Sequence, residues 1–453
     1  MNLALIARIL RYRARLRRRE AWSRAQLQRH QAQALAELRS FASTHSPFYA
    51  RFHRGLQARR LEELPVLTKA RLMDSFDEVV TDRRLHLAEM EDHLRGLQGD
   101  ELFQGRYWVS ATSGSSGRRS IIPSDLTEWA TIIASYGRAN EWSGLRISPF
   151  RHTRIAVVSS RTPFHQSLRV GRSIQMPRVQ TCRLDAAQPL ADILRALDEF
   201  RPDVLVAYAS MLRALAEEQL AGRLHISPRS VNCSSEVLTL DGRERAAKAW
   251  GLPPFDVYAA TETGGIAAEC EQHRGMHLFE DLVIPEVVDD EYRPVATGVA
   301  GSRLLVTVLF SRTLPLIRYE LTDRVRLGPE DCPCGRPFRL VAEIEGRTDD
   351  VLELPASAGG KVRLQPIVFH RALDLLNARA WQVQQHRDGL RVLIQVPEVD
   401  IDRASLERSL AAAITAAGAA PCSVRVEMVQ EIPAGPSGKR PLVVALKGGI
   451  QQQ

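Results

Sequence analysis

Between positions 107 and 327 short apolar runs alternate with stretches of helical periodicity, and this alternation narrows the fold more than any other feature of the chain. Residues 155–158 and 204–207 read as strands, and residues 190–200 and 211–220 read as helices. A strand that is followed by a helix before the next strand enters a mostly parallel sheet with helices on its faces. Sheets of that kind take ligands in the loops at the carboxyl ends of their strands. The pattern therefore predicts an α/β body and says where its chemistry should sit.

The flanks differ from this body. Residues 1–45 carry Leu, Ile and Ala at helical spacing, with nine Arg among the first 30 residues and no Pro or Gly before Thr44, which predicts amphipathic helices with a solvated basic face. Beyond Gly346 come two strand-like runs, 381–384 and 390–396, a helix over about 402–416 and a strand over 422–429. That is the pattern of a small α+β domain. The expected organisation is a basic helical segment, 1–45, a large domain, 46–346, and a small C-terminal domain, 347–453.

Composition excludes several classes. Of the 453 residues 44% are hydrophobic and 25% charged, and no apolar run nears the roughly 18 residues of a spanning helix. The N-terminus is apolar first and Arg-rich second, the reverse of a secretory signal, and the six Cys are too sparse for a disulfide framework, so a cytoplasmic protein is expected. The formal charge of +8 suits nucleic acid, a membrane surface or an anionic small molecule such as a nucleotide, and does not choose among them. Nucleic-acid binding has only the Arg-rich N-terminus in its favour. Just five of the 61 basic residues are Lys, so Lys439 in its Pro-Ser-Gly-Lys-Arg setting stands out.

Chemistry-bearing residues fall in five segments. Directly after a strand-like stretch, Thr112, Ser113, Gly114, Ser115, Ser116 and Gly117 combine hydroxyl donors with glycines that let backbone approach an anion, followed by Arg118 and Arg119. Tyr258, Thr261 and Glu262, with Gly264 and Gly265, close another buried strand, where a carboxylate could hold Mg²⁺ against phosphates. Asp323 ends the segment 315–323, Arg347 and Asp349 lie in 345–351, and Lys439 occupies 436–440.

In this order and at these separations, the segments resemble the adenylate-forming superfamily of acyl-CoA synthetases, luciferases and peptide-synthetase adenylation domains, most closely its phenylacetate-CoA ligase branch. The resemblance runs from about Ser46 to Leu446. It implies a large N-terminal adenylate-forming domain with mostly parallel sheets and a small C-terminal α+β lid. It further implies that 112–120 is the phosphate loop, that Ser235, Glu236 and Tyr258 flank adenine, and that Thr261 and Glu262 meet phosphate and Mg²⁺. Asp323 and Arg347 would contact ribose, Asp349 would be the hinge, and Lys439 would contact the carboxylate and α-phosphate. The implied activity is ATP-dependent conversion of a carboxylic acid, aromatic by resemblance, to an acyl-adenylate, followed by transfer to CoA. Delivery to a carrier protein, an amine or another nucleophile, and a non-catalytic nucleotide-binding protein, are the alternatives. A homodimer stays open. The chain departs from the family pattern at Arg119 and Ser120, at 319–323, and over 352–362, where the family lines a pantetheine tunnel.

Cys270 and His277, with Cys332 and Cys334 about 60 residues on, offer three thiolates and an imidazole, the donor set of a closed structural Zn²⁺ site. His273 is the rival imidazole. Cys182, Cys233 and Cys422 read as small core residues. His165 either faces the acid pocket or is a loop residue without a role.

Overall fold

The computed structural model describes residues 3–112, 119–145, 152–174, 178–186, 188–329, 331–347, 352–357, 359–364, 367–373, 376, 378, 380–395, 401–433 and 440–445. Its largest sheet has nine strands in the order Asp323–Leu327, Leu340–Arg347, Met276–Leu278, Gly264–Glu269, Phe255–Ala260, Ser230–Ser234, Val204–Tyr208, Thr153–Ser159, Val179–Asp185. From Phe255–Ala260 to the Val179–Asp185 edge every pair is parallel, in the stretch where helices Leu190–Phe200, Ala209–Leu220 and Leu240–Trp250 separate the strands. The other four pairs are antiparallel. Past Ala260 no described helix intervenes before Arg347, so the strands there turn back on one another as short connections require. A second, three-stranded antiparallel sheet joins Val283–Val288, Arg303–Val308 and Tyr319–Leu321.

The helix Leu126–Trp142 packs on the strand Gly264–Glu269 through Ile132 and Ser135. Asp125 caps it by accepting from the amides of Thr127 (2.8 Å) and Glu128 (2.9 Å), and Glu128 returns the bond to the Asp125 amide. The buried Glu128 carboxylate also accepts from the Thr313 amide and hydroxyl, tying the cap to the chain that leads into Tyr319. Two glycines let this helix approach the sheet. Gly264 adopts φ +71°, and a Cβ on Gly265 would lie 2.8 Å from the Phe279 ring and 3.0 Å from Ser135 Oγ, which instead accepts from the Gly265 amide.

The first helices are part of this body. Leu5 of Leu3–Arg19 packs with Trp108, Trp129 and Ile133, while Leu16, and Leu27 and Leu38 of Arg24–His45, join the main core. The basic face differs from expectation, because Arg13 and Arg19 are buried. Arg13 pairs with Glu141, Arg19 reaches Asp281 at 3.4 Å beside Arg138 (2.7 Å), and Arg24 shares Glu280 with Arg339. A carboxylate buried among apolar groups has to be paired, and these arginines do that.

The C-terminal residues build their own core around Phe369, Trp381, Val392 and Leu410. Strands Ser423–Val429, Gly389–Gln395, Ala380–His386 and Val443–Val444 form a mixed sheet, with helix Arg403–Ala416 beside it. Sequence reading finds the three longer strands and the helix; it misses the hairpin Leu352–Pro355/Lys361–Leu364 and the two-residue strand, both too short to show periodicity. No described helix is long and apolar enough to cross a membrane.

Candidate active site and metal centre

Thr112 follows the strand Trp108–Ala111, which pairs antiparallel with Ile121–Ser124. Its amide donates to the Ser120 carbonyl (3.0 Å) and its Oγ1 accepts from the Ser120 amide (2.9 Å), so the two residues clamp the mouth of the Ser/Gly loop. Ser113, Gly114, Ser115, Ser116 and Gly117 lie outside the described residues. From the clamp a line of polar groups continues: Ser120 Oγ lies 3.4 Å from the Tyr319 hydroxyl, and that hydroxyl donates to Glu262 Oε1 at 3.0 Å. Burial, reinforced by Glu262, pushes the Tyr319 phenol well above its ordinary pKa and keeps it a donor.

A second line runs beside the first. Tyr258 donates to Asp323 Oδ2 at 2.8 Å, and Asp323 stands opposite Arg347 in the ladder between Asp323–Leu327 and Leu340–Arg347. Tyr258 precedes Glu262 by four residues and Tyr319 precedes Asp323 by four, so both lines draw on the same two chain segments. Thr112 and Glu262 thus stand at the two ends of the first line, and Tyr258, Asp323 and the Arg347 backbone along the second. Thr261 joins them through its carbonyl, which accepts from Gln166 Nε2 (2.8 Å), while Gln166 Oε1 accepts from the hydroxyl of the half-buried Tyr136 (2.9 Å). His165, next to Gln166, has Nδ1 2.9 Å from Ser160 Oγ.

Ser235 sits after the strand Ser230–Ser234 with φ +71°, exposed. Both carboxylate oxygens of Glu236 are engaged, one by the Ser210 amide (2.8 Å) and one by the Arg440 amide (3.1 Å). The Arg347 side chain, Asp349 and Lys439 lie outside the described residues.

The Cys/His cluster lies at the antiparallel end of the large sheet. One donor atom from each of Cys270, His277, Cys332 and Cys334 falls within 4.8 Å of all the others, with Cys270 Sγ 3.8 Å from Cys332 Sγ and Cys334 Sγ 3.2 Å from His277 Nε2. His277 Nδ1 lies 3.1 Å from the Phe338 carbonyl, which accepts its proton and turns Nε2 toward the thiols. Burial pushes the Cys270 thiol up to about 12, so ionising it calls for a cation among the sulfurs. Three sulfurs and one imidazole nitrogen around a shared centre fit tetrahedral Zn²⁺. His273 is elsewhere, its Nδ1 3.2 Å from Glu269.

No family model matches the chain. It is 33% identical to the phenylacetate-coenzyme A ligase of Thermus thermophilus over 165 residues, 34% of this chain and 36% of that protein. It is 23% identical to the fumarate–(S)-2,3-diaminopropanoate ligase of Enterobacter agglomerans over 78% of this chain and 82% of that protein. The solved structure of a 2-hydroxyisobutyryl-CoA ligase bound to its acyl-adenylate superposes with a TM-score of 0.73, over 95% of this chain and 92% of that one, at 20% identity. The chain thus resembles the adenylate-forming superfamily, and in sequence its phenylacetate-CoA ligase branch. Its matches span between 36% and 56% of the length of the phenylacetate-CoA ligases it resembles.

Sequence reasoning passes over three groups that hold this candidate site together. Tyr319 lies inside a motif segment, but the partner of its hydroxyl is set by tertiary structure. Gln166 sits beside His165, the residue singled out, and supports Thr261 in its place. Arg440 follows Lys439 and contacts Glu236 through its backbone, which no side-chain pattern reveals.

Proposed function

We propose that this chain uses ATP to activate a carboxylic acid as an acyl-adenylate, releasing pyrophosphate, and then passes the acyl group to the thiol of CoA. The convergence of the Thr112–Ser120–Tyr319–Glu262 line with the Tyr258–Asp323 pair carries the reading. The 1–45 helices and 46–346 are the catalytic body, and 347–453 is a lid hinged at Asp349.

In this reading the Ser/Gly loop clamped by Thr112 and Ser120 cradles the phosphates. Asp323, held by Tyr258, meets the ribose hydroxyls, and Arg347 adds a charge there. Ser235 and Tyr258 flank the adenine. A carboxylate attacking the α-phosphate brings two anions together, and preorganised groups have to offset that repulsion as the bond forms. Glu262, a hard oxygen donor steadied by a phenol, and Thr261 would hold Mg²⁺, which neutralises phosphate charge when bound. Lys439 supplies the cation at the reacting carboxylate. Zn²⁺ at Cys270, His277, Cys332 and Cys334 would join the hairpin of Gly264–Glu269 and Met276–Leu278 to the 332–334 loop and take no part in the reaction.

The test is pyrophosphate release over aryl, aliphatic, hydroxy and amino acids, with and without CoA. One or more acids should release pyrophosphate, and Lys439→Ala should slow release by about 10²-fold. A panel without any release would sink the reading, and release that Lys439→Ala leaves intact would remove that lysine from it.

A second acceptor is favoured by one observation. The match to the fumarate–(S)-2,3-diaminopropanoate ligase covers 82% of that protein, more than any phenylacetate-CoA ligase match covers. An amine would then replace CoA. Acyl transfer to an amine panel, without thioester when CoA is supplied, would decide for it.

A further inference from the structure

We infer that Glu236 is a positioning residue that docks the C-terminal unit onto the body for adenylation, with Arg213 as a second tie. The inference rests on the adenylation reading above and assigns Glu236 a task other than contact with adenine.

The carboxylate bridges two parts of the chain. On the body side Oε2 accepts from the amide of Ser210, in the first turn of Ala209–Leu220, where a negative charge is favoured. On the other side Oε1 accepts from the Arg440 amide. Residues 441–442 lead into the Val443–Val444 strand and are tied to the C-terminal sheet, because Gln382 Nε2 donates to the Pro441 carbonyl (2.9 Å) and the Val383 amide to the Leu442 carbonyl (2.8 Å). Arg440 also closes the stem of the Lys439 segment, donating from Nε to the Ile432 carbonyl (3.0 Å) and from Nη2 to Glu431 (2.5 Å). A bond at Arg440 therefore holds the chain one residue away from Lys439.

The second tie starts one helical turn further along the same helix. Arg213 Nη2 donates to the Ala378 carbonyl (2.5 Å), just ahead of Ala380–His386. Its Nε is fixed by Asp241 (2.6 Å), which Arg245 braces at 2.7 Å. In both ties the C-terminal partner is a backbone group, so the body side chains decide whether the ties exist. Charge-assisted bonds of this kind are strong enough to bias an orientation, and two of them leave it reversible, as a lid that serves two steps requires.

Glu236→Gln separates this role from packing or adenine contact. Glutamine keeps the size but has one acceptor oxygen for two amides. In ATP–pyrophosphate exchange it should lower kcat by about tenfold, with the KM for ATP within about twofold of wild type. Combined with Lys439→Ala it should slow the reaction no further than Lys439→Ala does alone, because the two act through one element. A raised KM for ATP at unchanged kcat, or multiplicative losses in the double variant, would overturn the inference. Hydrogen exchange reads the docking without any chemistry: the 440–444 peptide should exchange faster in Glu236→Gln, while helix Arg403–Ala416 keeps its protection. Unchanged exchange at 440–444 would also overturn it. If the wild type forms no adenylate with any acid, the functional reading fails, and the exchange comparison still decides whether Glu236 docks the unit.

Discussion

Tyr319→Phe isolates one atom of the site. The ring is 1% exposed and its packing survives the change, but the hydroxyl that donates to Glu262 Oε1 at 3.0 Å is lost, and Ser120 Oγ loses its neighbour at 3.4 Å. Hydrogen bonds to a charged group contribute about 1.5–3 kcal/mol, and Glu262, 9% exposed, has little water to replace the phenol. At about 1.4 kcal/mol per tenfold in rate, kcat/KM for ATP–pyrophosphate exchange should fall by about 10- to 100-fold. The Mg²⁺ concentration for half-maximal rate should rise with it, because a carboxylate free to rotate is a poorer ligand. Tyr258→Phe serves as the contrast: it removes one hydrogen bond from Asp323 and should act mainly on the KM for ATP. Exchange by Tyr319→Phe within twofold of wild type, at unchanged Mg²⁺ dependence, would refute the claim that the phenol holds Glu262 for the reaction.

Asp281→Asn should cost about 3–5 kcal/mol in denaturant unfolding, because Arg19 is left buried without a counter-charge and Arg138 keeps only Glu20 at 3.4 Å, whereas Glu141→Gln, where the carboxylate is partly exposed, should cost about 1 kcal/mol or less. Elemental analysis of the purified protein should find about one zinc per chain, lost in Cys332→Ser together with thermal stability and retained in His273→Ala. Burial, with Glu269 second, raises the Asp256 carboxyl to about 7, above its unfolded value near ~4. The stability of its protonated form is complete below about pH 4 and is lost as pH rises through 7. The wild-type Tm should therefore decline between pH 5 and pH 8 relative to Asp256→Asn, and parallel Tm curves would contradict the assignment.

The parallel half of the sheet is legible because a helix between strands leaves both periods in the sequence. The antiparallel half is harder to read, since its strands are joined by turns and its longest connection, 289–302, has no periodicity. Thr112, Glu262 and Asp323 are visible because their chemistry sits in short runs of unusual composition. The cluster of Cys270, His277, Cys332 and Cys334 is visible from side-chain type alone, but the choice of His277 over His273 is a matter of sheet register: His277 stands opposite both Ala268 and Leu340, while His273 lies in the turn before its strand. The inward turn of Arg13 and Arg19 could not be read, because the acids they meet lie more than a hundred residues away and carry no local mark.

Those distant partners bear on how the protein is made. Arg19 and Arg24 meet their acids 262 and 256 residues further along the chain. A ribosome releases both amphipathic helices long before position 280 emerges, and closing so large a loop is slow. Until then Arg19 and Arg24 lack these acids, although apolar partners such as Trp108 and Trp129 are already made. Deleting these two helices would not trim a tail; it would take one of two arginine partners from each of Asp281 and Glu280 in the interior of the finished molecule.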